Sequence, residues 1–328
     1  MALLSIKHLK TYFYLDGETF PAVDDVSFTV EKGKTVAVIG ESGSGKSVTA
    51  LSVMGLVDAP GRIVSGEIIF ENQALTSLDE KAMRKIRGKE ISMIYQDPMS
   101  SLNPYIKVGK QIEEAIKLHA TLSREHLKTR AISLMQQVGI TDAEERYHQL
   151  PSQFSGGMRQ RIMIAMAIAC EPKILIADEP TTALDVTIQA EILDLLRSLR
   201  AQNQMSIVLN THDLGVVAEM ADEVVVLYCG KVMEITSNHK LFDNPLNPYT
   251  QALMTCIPRI DDRKRRLETI KGYVPTLTKL SKGCRFSDRC SQAMAKCHIE
   301  LPELLEIESG HFSRCWLHEQ KEVNHEII

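Results

Sequence analysis

Residues Gly40-Glu41-Ser42-Gly43-Ser44-Gly45-Lys46-Ser47 read G-x-x-x-x-G-K-S, between an apolar run, Thr35–Ile39, and a segment of helical spacing, Val48–Leu56. A strand that passes through a glycine-rich turn into a helix is the setting in which this pattern holds phosphate. The glycines let backbone N–H groups curl around phosphate oxygens, and the helix N-terminus adds positive potential. Gly40, Ser42, Gly43, Ser44 and Gly45 form the cradle. Lys46 is placed to reach β- and γ-phosphates, and the Ser47 hydroxyl to ligate Mg²⁺.

Further short apolar runs, Ile174–Ala177, Ser206–Leu209 and Val224–Tyr228, read as strands buried on both faces. Segments of helical spacing, among them Ile188–Arg200 and Leu214–Ala221, alternate with them. That alternation predicts an α/β fold with a largely parallel sheet. The first ~30 residues and Ser65–Phe70 instead alternate apolar with polar, as half-exposed antiparallel strands do. From about Pro98 to Leu150 the pattern is helical with no good strand, which predicts an inserted helical subdomain. After Asp243 the texture changes: Pro245, Pro248 and Pro258, a charge run at Asp261–Arg266, then four closely spaced cysteines. A boundary is placed near 243.

Composition narrows the class. A length of 328 residues suits about two domains. With 44% apolar and 24% charged residues, the chain is of globular type and neither disordered nor fibrous. A net charge of −4 supplies no global field for nucleic acid, so no nucleic-acid partner is expected. The start, MALLSIKHLK, lacks the apolar core of a signal peptide. The longest apolar run, Ile162 to Cys170, is nine residues, short of the ~18 that span a bilayer. The expectation is a soluble intracellular protein with reduced thiols.

The strand Ile174–Ala177 runs into Asp178 and Glu179. At the carboxyl end of a sheet strand Asp178 is placed to hold a Mg²⁺ shell, and Glu179 to take a proton from an attacking water. His212 follows the next strand and is placed to touch a γ-phosphate; Gln96 follows the strand Ile91–Tyr95 and can reach metal or water. Phe154-Ser155-Gly156-Gly157-Met158-Arg159-Gln160 precedes a long helical pattern. Ser155 suits a helix N-cap, and Gly156 and Gly157 leave first-turn N–H groups open to phosphate. A second bare helix start, in a chain that already has its own phosphate loop, makes sense if it serves the nucleotide of another subunit. That predicts a dimer with ATP at the interface.

Phosphate loop, Gln96, Ser155–Gly157, Asp178-Glu179, Asp185 and His212 come in the order seen in ATP-binding cassette (ABC) ATPases, and the chain strongly resembles that family. The resemblance implies a P-loop NTPase ABC nucleotide-binding domain: a RecA-like core, an antiparallel β subdomain and an inserted helical subdomain, here followed by a Cys-containing extension. It implies that Lys46, Ser47, Gln96 and Asp178 handle nucleotide and Mg²⁺, that Glu179 is the general base, and that His212 senses the γ-phosphate. Ser155, Gly156, Gly157 and Asp185 then act across a dimer. Phe13 lies where the family stacks an aromatic on adenine; the other reading is an ordinary strand aromatic. Phe154 and Met158 depart from the common Leu-Ser-Gly-Gly-Gln, while its phosphate-facing centre is intact.

Cys284, Cys290, Cys297 and Cys315 are spaced C-x₅-C-x₆-C-x₁₇-C. Structural zinc usually shows C-x₂₋₄-C pairs. Four thiolates also suit an iron–sulfur cluster, so spacing leaves iron–sulfur, zinc and unliganded thiols all open. Cys170, Cys229 and Cys256 read as buried apolar thiols. The basic run Arg263–Arg266 reads as a solvated loop, with contact to anionic lipid or a partner the other reading. The tail, the segment Asn247-Pro248-Tyr249-Thr250, the Phe-Ser-Gly-Gly-Met motif and the run Asp97–Pro104 are together similar to the ATPases of dipeptide, oligopeptide and nickel importers. Some members carry a 4Fe–4S cluster on these cysteines, which the resemblance implies here; a structural brace is the simplest reading of its role.

The expected domains are 1–243, an ABC ATPase with its helical subdomain at about 98–155, and 244–328, the extension with the four-cysteine cluster. The expected function is ATP hydrolysis that energises import of di- or oligopeptides; nickel import is the alternative, and a nucleotide- and redox-sensing regulatory module the reading from another class. The expected partners are a second ABC ATPase subunit, two membrane permease subunits and an extracytoplasmic substrate-binding protein. The expected location is peripheral, on the cytoplasmic face of the membrane.

Overall fold

A computed structural model describes residues 2–97, 101–182, 184–256, 269–278 and 280–319. The expectations at Pro98–Ser100, Ala183, Pro258 and the charge run Asp261–Arg266 lie outside the described residues. In chain order the strands are β1 (Ala2–Leu15), β2 (Glu18–Glu31), β3 (Thr35–Ile39), β4 (Gly61–Phe70), β5 (Gln73–Ala74), β6 (Ile91–Ile94), β7 (Ile174–Asp178), β8 (Ser206–Thr211), β9 (Glu223–Tyr228), β10 (Lys231–Ser237), β11 (Leu305–Glu308) and β12 (His311–Ser313). The helices are α1 (Lys46–Met54), α2 (Glu80–Ile86), α3 (Val108–Lys117), α4 (Arg124–Gln137), α5 (Ala143–Arg146), α6 (Gly156–Ala167), α7 (Val186–Asn203), α8 (Leu214–Met220), α9 (Asn238–Asp243), α10 (Pro248–Thr255) and α11 (Ala295–Ile299). Among the described residues no helix is long and apolar enough to cross a membrane.

The chain forms two compact units. The first comprises Met1–Leu3, Val30–Thr35 and Ala74–Asn210. Its strands β6, β7 and β8 pair in parallel, Ile91 against Ile174 and Ile174 against Ser206. Every residue of β6, β7 and β8 is buried, which is why their sequences are near-continuous apolar runs rather than alternating ones. The expected strands at 174 and 206 are present and run on into polar residues, Asp178 and Thr211. Asp185 caps α7, accepting from Ile188 N–H at 3.0 Å. Near its far end Arg200 donates to the Gly33 carbonyl and Thr35 Oγ1, both at 2.9 Å.

Between β6 and β7 the described residues hold helices and no strand, as the pattern predicts. Their interior contains a carboxylate. Glu113 is buried on α3, accepts from the Tyr147 hydroxyl, and pairs with Lys110 Nζ at 2.7 Å and Lys117 Nζ at 3.6 Å. Burial opposes its ionisation, but Lys110 and Tyr147 outweigh that and hold its carboxyl below the usual range. Gly109 lies against the Tyr147 ring so closely that a Cβ has no room.

The second unit comprises Leu4–Thr29, Val36–Gln73 and Thr211–Ile328. One sheet runs β2-β1-β4-β5, the half-exposed antiparallel pattern expected of the N-terminal stretch. In the other, β3 pairs in parallel with β9, Val36 against Glu223. β9 turns into antiparallel β10 through Cys229-Gly230, with φ of 45° and 78°. Positive φ at both central residues matches the right-handed twist of the flanking strands. β10 then pairs with β12, and β12 with β11. The last strands of the chain therefore extend a sheet begun at residue 35.

A buried polar cluster closes this join. Glu234 of β10 accepts from Leu246 N–H at 2.8 Å and Asn247 N–H at 3.0 Å, and bonds His311 Nε2 at 2.6 Å. Asn247 caps α10 by accepting from Tyr249 N–H, and its amide donates to the carbonyls of Met233 and Arg314, both at 3.1 Å. Among the remaining thiols Cys229 is buried as expected, whereas Cys170 and Cys256 are only half-buried: Cys170 lines an open cavity with Ile116, Leu122 and Arg130.

Candidate functional site

The phosphate-loop pattern folds as its spacing requires. β3 ends at Ile39, the loop turns, and α1 begins at Lys46. Gly40 and Gly45 have φ of +150° and +105°, and a Cβ on Gly45 would stand 2.5 Å from the Ala22 carbonyl oxygen. Only glycine fits both positions. No side chain caps α1, so its first turn is dressed by the loop alone. Lys46 Nζ donates to the carbonyls of Gly40 at 2.8 Å and Glu41 at 3.2 Å, which folds the ammonium over the loop. Ser44 Oγ is buried and has no hydrogen-bond partner among the described residues. An orphaned hydroxyl beside a lysine and an uncapped helix start suits the oxygens of a phosphate chain.

Phe13, on β1 of the same unit, packs over Gly61, whose added Cβ would lie 2.6 Å from the ring. Its neighbours are engaged elsewhere: Tyr12 OH donates to Asp24 at 2.9 Å, and the Arg62 guanidinium lies 4.6 Å from the Tyr14 ring centroid. His212 is exposed at the end of β8, just before Asp213 caps α8.

The first unit gathers a second group. Asp178 ends β7, buried, and accepts from the Asn210 amide at 2.9 Å. Glu179 follows with φ of 48°, its N–H bonded to the Asn210 carbonyl at 2.9 Å. A non-glycine residue in the left-handed region is strained, and this one is held by its surroundings. Its Oε2 accepts from Thr182 Oγ1 at 2.9 Å and from the Gln96 amide at 3.1 Å. The structure thus brings Gln96 and Glu179 together beside Asp178. Thr182 and Asn210 are absent from the sequence reading; their only signal is position, just past Asp-Glu-Pro and on the neighbouring strand.

Ser155 caps α6 as expected, accepting from Met158 N–H at 3.3 Å. The two glycines differ. Gly156 faces open space, with Leu184 no nearer than 4.0 Å, whereas a Cβ on Gly157 would meet Ile188 at 2.6 Å. Ile188 N–H is also the group that Asp185 caps. Ser155–Gly157 and Asp185 are therefore neighbours through one isoleucine.

In the second unit the four tail cysteines line one small cavity, together with Met233, Phe286 and Trp316. Burial pushes the Cys284 and Cys315 thiols up to about 11 and also raises Cys290. Backbone N–H groups of Gln292 and Met294 point at the sulfurs of Cys290 and Cys297, each at 3.4 Å. Among the described residues no group of three or more His, Cys, Asp or Glu side chains is arranged to hold a metal ion. All seven cysteines are free thiols.

A phosphate loop on a strand–helix turn, paired strand-end carboxylates and a capped glycine helix are the working parts of an α/β ATPase. The model of the ABC transporter family matches residues 23–182, and that of the oligopeptide/dipeptide transporter C-terminal region matches 233–297. The oligopeptide transport ATP-binding protein AppD of Bacillus subtilis (strain 168) is 52% identical over 97% of this chain and 98% of its own. The dipeptide transport ATP-binding protein DppD of Escherichia coli (strain K12) is 48% identical over 96% of each. Among solved structures, the dimeric post-hydrolysis state of the ATP-binding cassette MJ0796 bound to ADP and Pi is 27% identical, with a TM-score of 0.65, covering 72% of this chain and 98% of that one. The chain belongs to the ABC transporter ATPases, in the branch that carries the oligopeptide/dipeptide transporter C-terminal region.

Proposed function

We propose that the chain is the ATP-hydrolysing subunit of a peptide importer. The observation that carries this is the match along nearly the whole chain to relatives named for oligopeptide and dipeptide transport. Those names favour peptide over nickel as cargo, and no specific observation favours a redox-sensing regulator.

In this reading Gly40, Ser42, Gly43, Ser44 and Gly45 cradle the phosphates, Lys46 neutralises the β- and γ-phosphates, and Phe13 stacks on the adenine. Ser47, Gln96 and Asp178 present the oxygen donors that a hard divalent cation prefers. When bound there, Mg²⁺ offsets charge on the transferred phosphoryl group. Glu179 accepts the proton of the attacking water as the water oxygen bonds to the γ-phosphorus and ADP leaves. Gln96 and Thr182, both on Glu179 Oε2, orient that carboxylate. His212 contacts the γ-phosphate. Ser155, Gly156, Gly157 and Asp185 serve the nucleotide held by a second ABC ATPase subunit, so ATP closes the pair and hydrolysis releases it. ATP shifts that equilibrium only by binding the closed state more tightly.

Two membrane permease subunits and an extracytoplasmic binding protein complete the importer, and the chain sits peripherally on the cytoplasmic face. Closure passes to the permeases through residues 98–118, a span in which Tyr105, Ile106 and Leu118 are exposed apolar side chains. The functional division is 1–243 for the ATPase, with its helical subdomain at about 98–155, and 244–328 for the extension. Cys284, Cys290, Cys297 and Cys315 are the residues that would hold a 4Fe–4S cluster; what supports this is that all four line one cavity. Such a cluster would brace the tail, and analysis of iron and acid-labile sulfide in anaerobically purified protein tests it.

Uptake of labelled dipeptide, longer peptide and Ni²⁺ in cells carrying the wild type or Glu179→Gln tests the function. Glu179→Gln should lower ATP turnover roughly 10²–10⁴-fold while ATP binding survives, and peptide uptake should fail. Near-normal turnover would overturn the role of Glu179, and loss of Ni²⁺ uptake alone would overturn the cargo.

A further inference from the structure

The tail does more than extend a sheet. Arg289, the residue before Cys290, reaches back to the second residue of the phosphate loop. Its guanidinium grips the Glu41 carboxylate with both arms, Nη1 to Oε2 at 2.5 Å and Nη2 to Oε1 at 3.0 Å. Its other donors are also used: Nη1 to Tyr228 OH at 3.2 Å, Nε to the Lys271 carbonyl at 3.1 Å, and Nη2 to the Ile270 carbonyl at 3.5 Å. All five N–H groups have acceptors, and the side chain is only 4% exposed. A planar fork so fully engaged is fixed in direction, which lysine cannot reproduce.

Glu41 is held at its other groups as well. Its N–H donates to Tyr249 OH at 3.0 Å. Its carbonyl accepts from Ser44 N–H at 3.1 Å and Lys46 Nζ at 3.2 Å. Tyr228, Tyr249 and Phe286 form an aromatic plate beneath, with ring centroids 4.6 to 5.3 Å apart. Two of the three rings, and Arg289, come from the chain beyond residue 243. The clamp has an electrostatic purpose too. A carboxylate one residue into a loop that must hold a triphosphate repels its ligand unless a cation pairs with it.

We propose that Arg289 is a positioning residue for nucleotide binding: it fixes the phosphate loop through Glu41 and cancels the Glu41 charge. The proposal rests on the reading that Gly40–Ser47 hold the nucleotide. The test is the Kd of a fluorescent ATP analogue with Mg²⁺ on the purified full chain, together with KM and kcat for ATP. Arg289→Ala should weaken binding and raise KM roughly tenfold, with kcat within about twofold. Higher salt should shrink the defect, because an uncompensated charge is screened. Glu41→Gln in the Arg289→Ala background should restore most of the affinity, since it removes the carboxylate left unpaired. A bracing role alone would lower Tm and the active fraction without that rescue. An unchanged Kd in Arg289→Ala, or a double variant no better than Arg289→Ala, overturns the proposal. If Arg289→Ala does not fold, the neutral but bulkier Arg289→Gln, with and without Glu41→Gln, reads the same coupling. Lys46→Ala is the control. If it binds the analogue like wild type, the phosphate-loop reading fails; if it loses binding while Arg289→Ala keeps it, only the role of Arg289 fails.

Discussion

Single side chains here are specified as much by what they must not do as by what they do. Tyr12 donates to Asp24, and its burial together with the Asp24 carboxylate pushes its ionisation up to about 12. Burial pushes Tyr228 up to about 12 as well, against the pull of Arg289, and raises Tyr249. In an unfolded chain each ionises near 10. A folded-state value above the unfolded one gives stability that is complete below about pH 10 and is lost as pH rises toward about 12. The ultraviolet absorbance titration should therefore contain a step that coincides with unfolding. Tyr12, Tyr228 and Tyr249 should ionise only as the protein unfolds between about 10 and 12. A single titration step near 10 in folded protein would contradict the buried placement. The same residues show what a motif hides: Tyr12, Phe13 and Tyr14 are three adjacent aromatics in the sequence, and only packing separates their tasks.

At the scale of elements, the helical segment between β6 and β7 is organised around Glu113. A buried carboxylate is tolerated only while its partners are in place. Tyr147→Phe removes a donor from it and should cost about 1–3 kcal/mol of stability, read by urea denaturation. Gly109→Ala should cost more, because the added methyl meets the Tyr147 ring. If both variants unfold at the wild-type midpoint, the packing of α3 against Tyr147 is wrong. The helical character of this segment is legible in its spacing, as is the capping of α6 by Ser155 and, among the described residues, the absence of a strand. Glu113 is not, because nothing in a polar residue at one helical position announces that its face is the inner one. Gly156 and Gly157 make the same point. They are identical letters in one motif, yet Gly157 is needed for its fit against Ile188 of α7, a helix that begins some thirty residues later in the chain.

For the molecule as a whole, the chain beyond Asp243 shares its folding with the segments before it, Leu4–Thr29 and Val36–Gln73. Truncation after Asp243 removes β12 from the edge of β10 and takes from buried Glu234 its partners His311, Leu246 and Asn247. An uncompensated buried charge costs about 3–5 kcal/mol, a large share of an ordinary domain's stability. The 1–243 fragment should consequently aggregate or melt well below the full chain, measured by size-exclusion chromatography and thermal denaturation. A monodisperse fragment with unchanged Tm would refute that dependence. A boundary at 243 follows from the change in prolines and cysteines; the return of the chain to β10 does not, because strand pairing at such distance leaves no local trace.

What the sequence determined by itself is whatever depends on local spacing and residue chemistry. The strand–turn–helix of the phosphate loop, the fully apolar strands, the Asp178-Glu179 strand end and the capped start of α6 are of that kind, because neighbours along the chain set them. The order of these motifs likewise sufficed to name the family. The tertiary structure alone decided which distant groups meet: Asn210 with Asp178, Gln96 and Thr182 with Glu179, Glu113 with Tyr147, and Arg289 with Glu41. Those contacts join residues as far as 248 positions apart, and no periodicity or motif records them. They are selected by the burial of charge and the need to satisfy it, which only the packed fold can express.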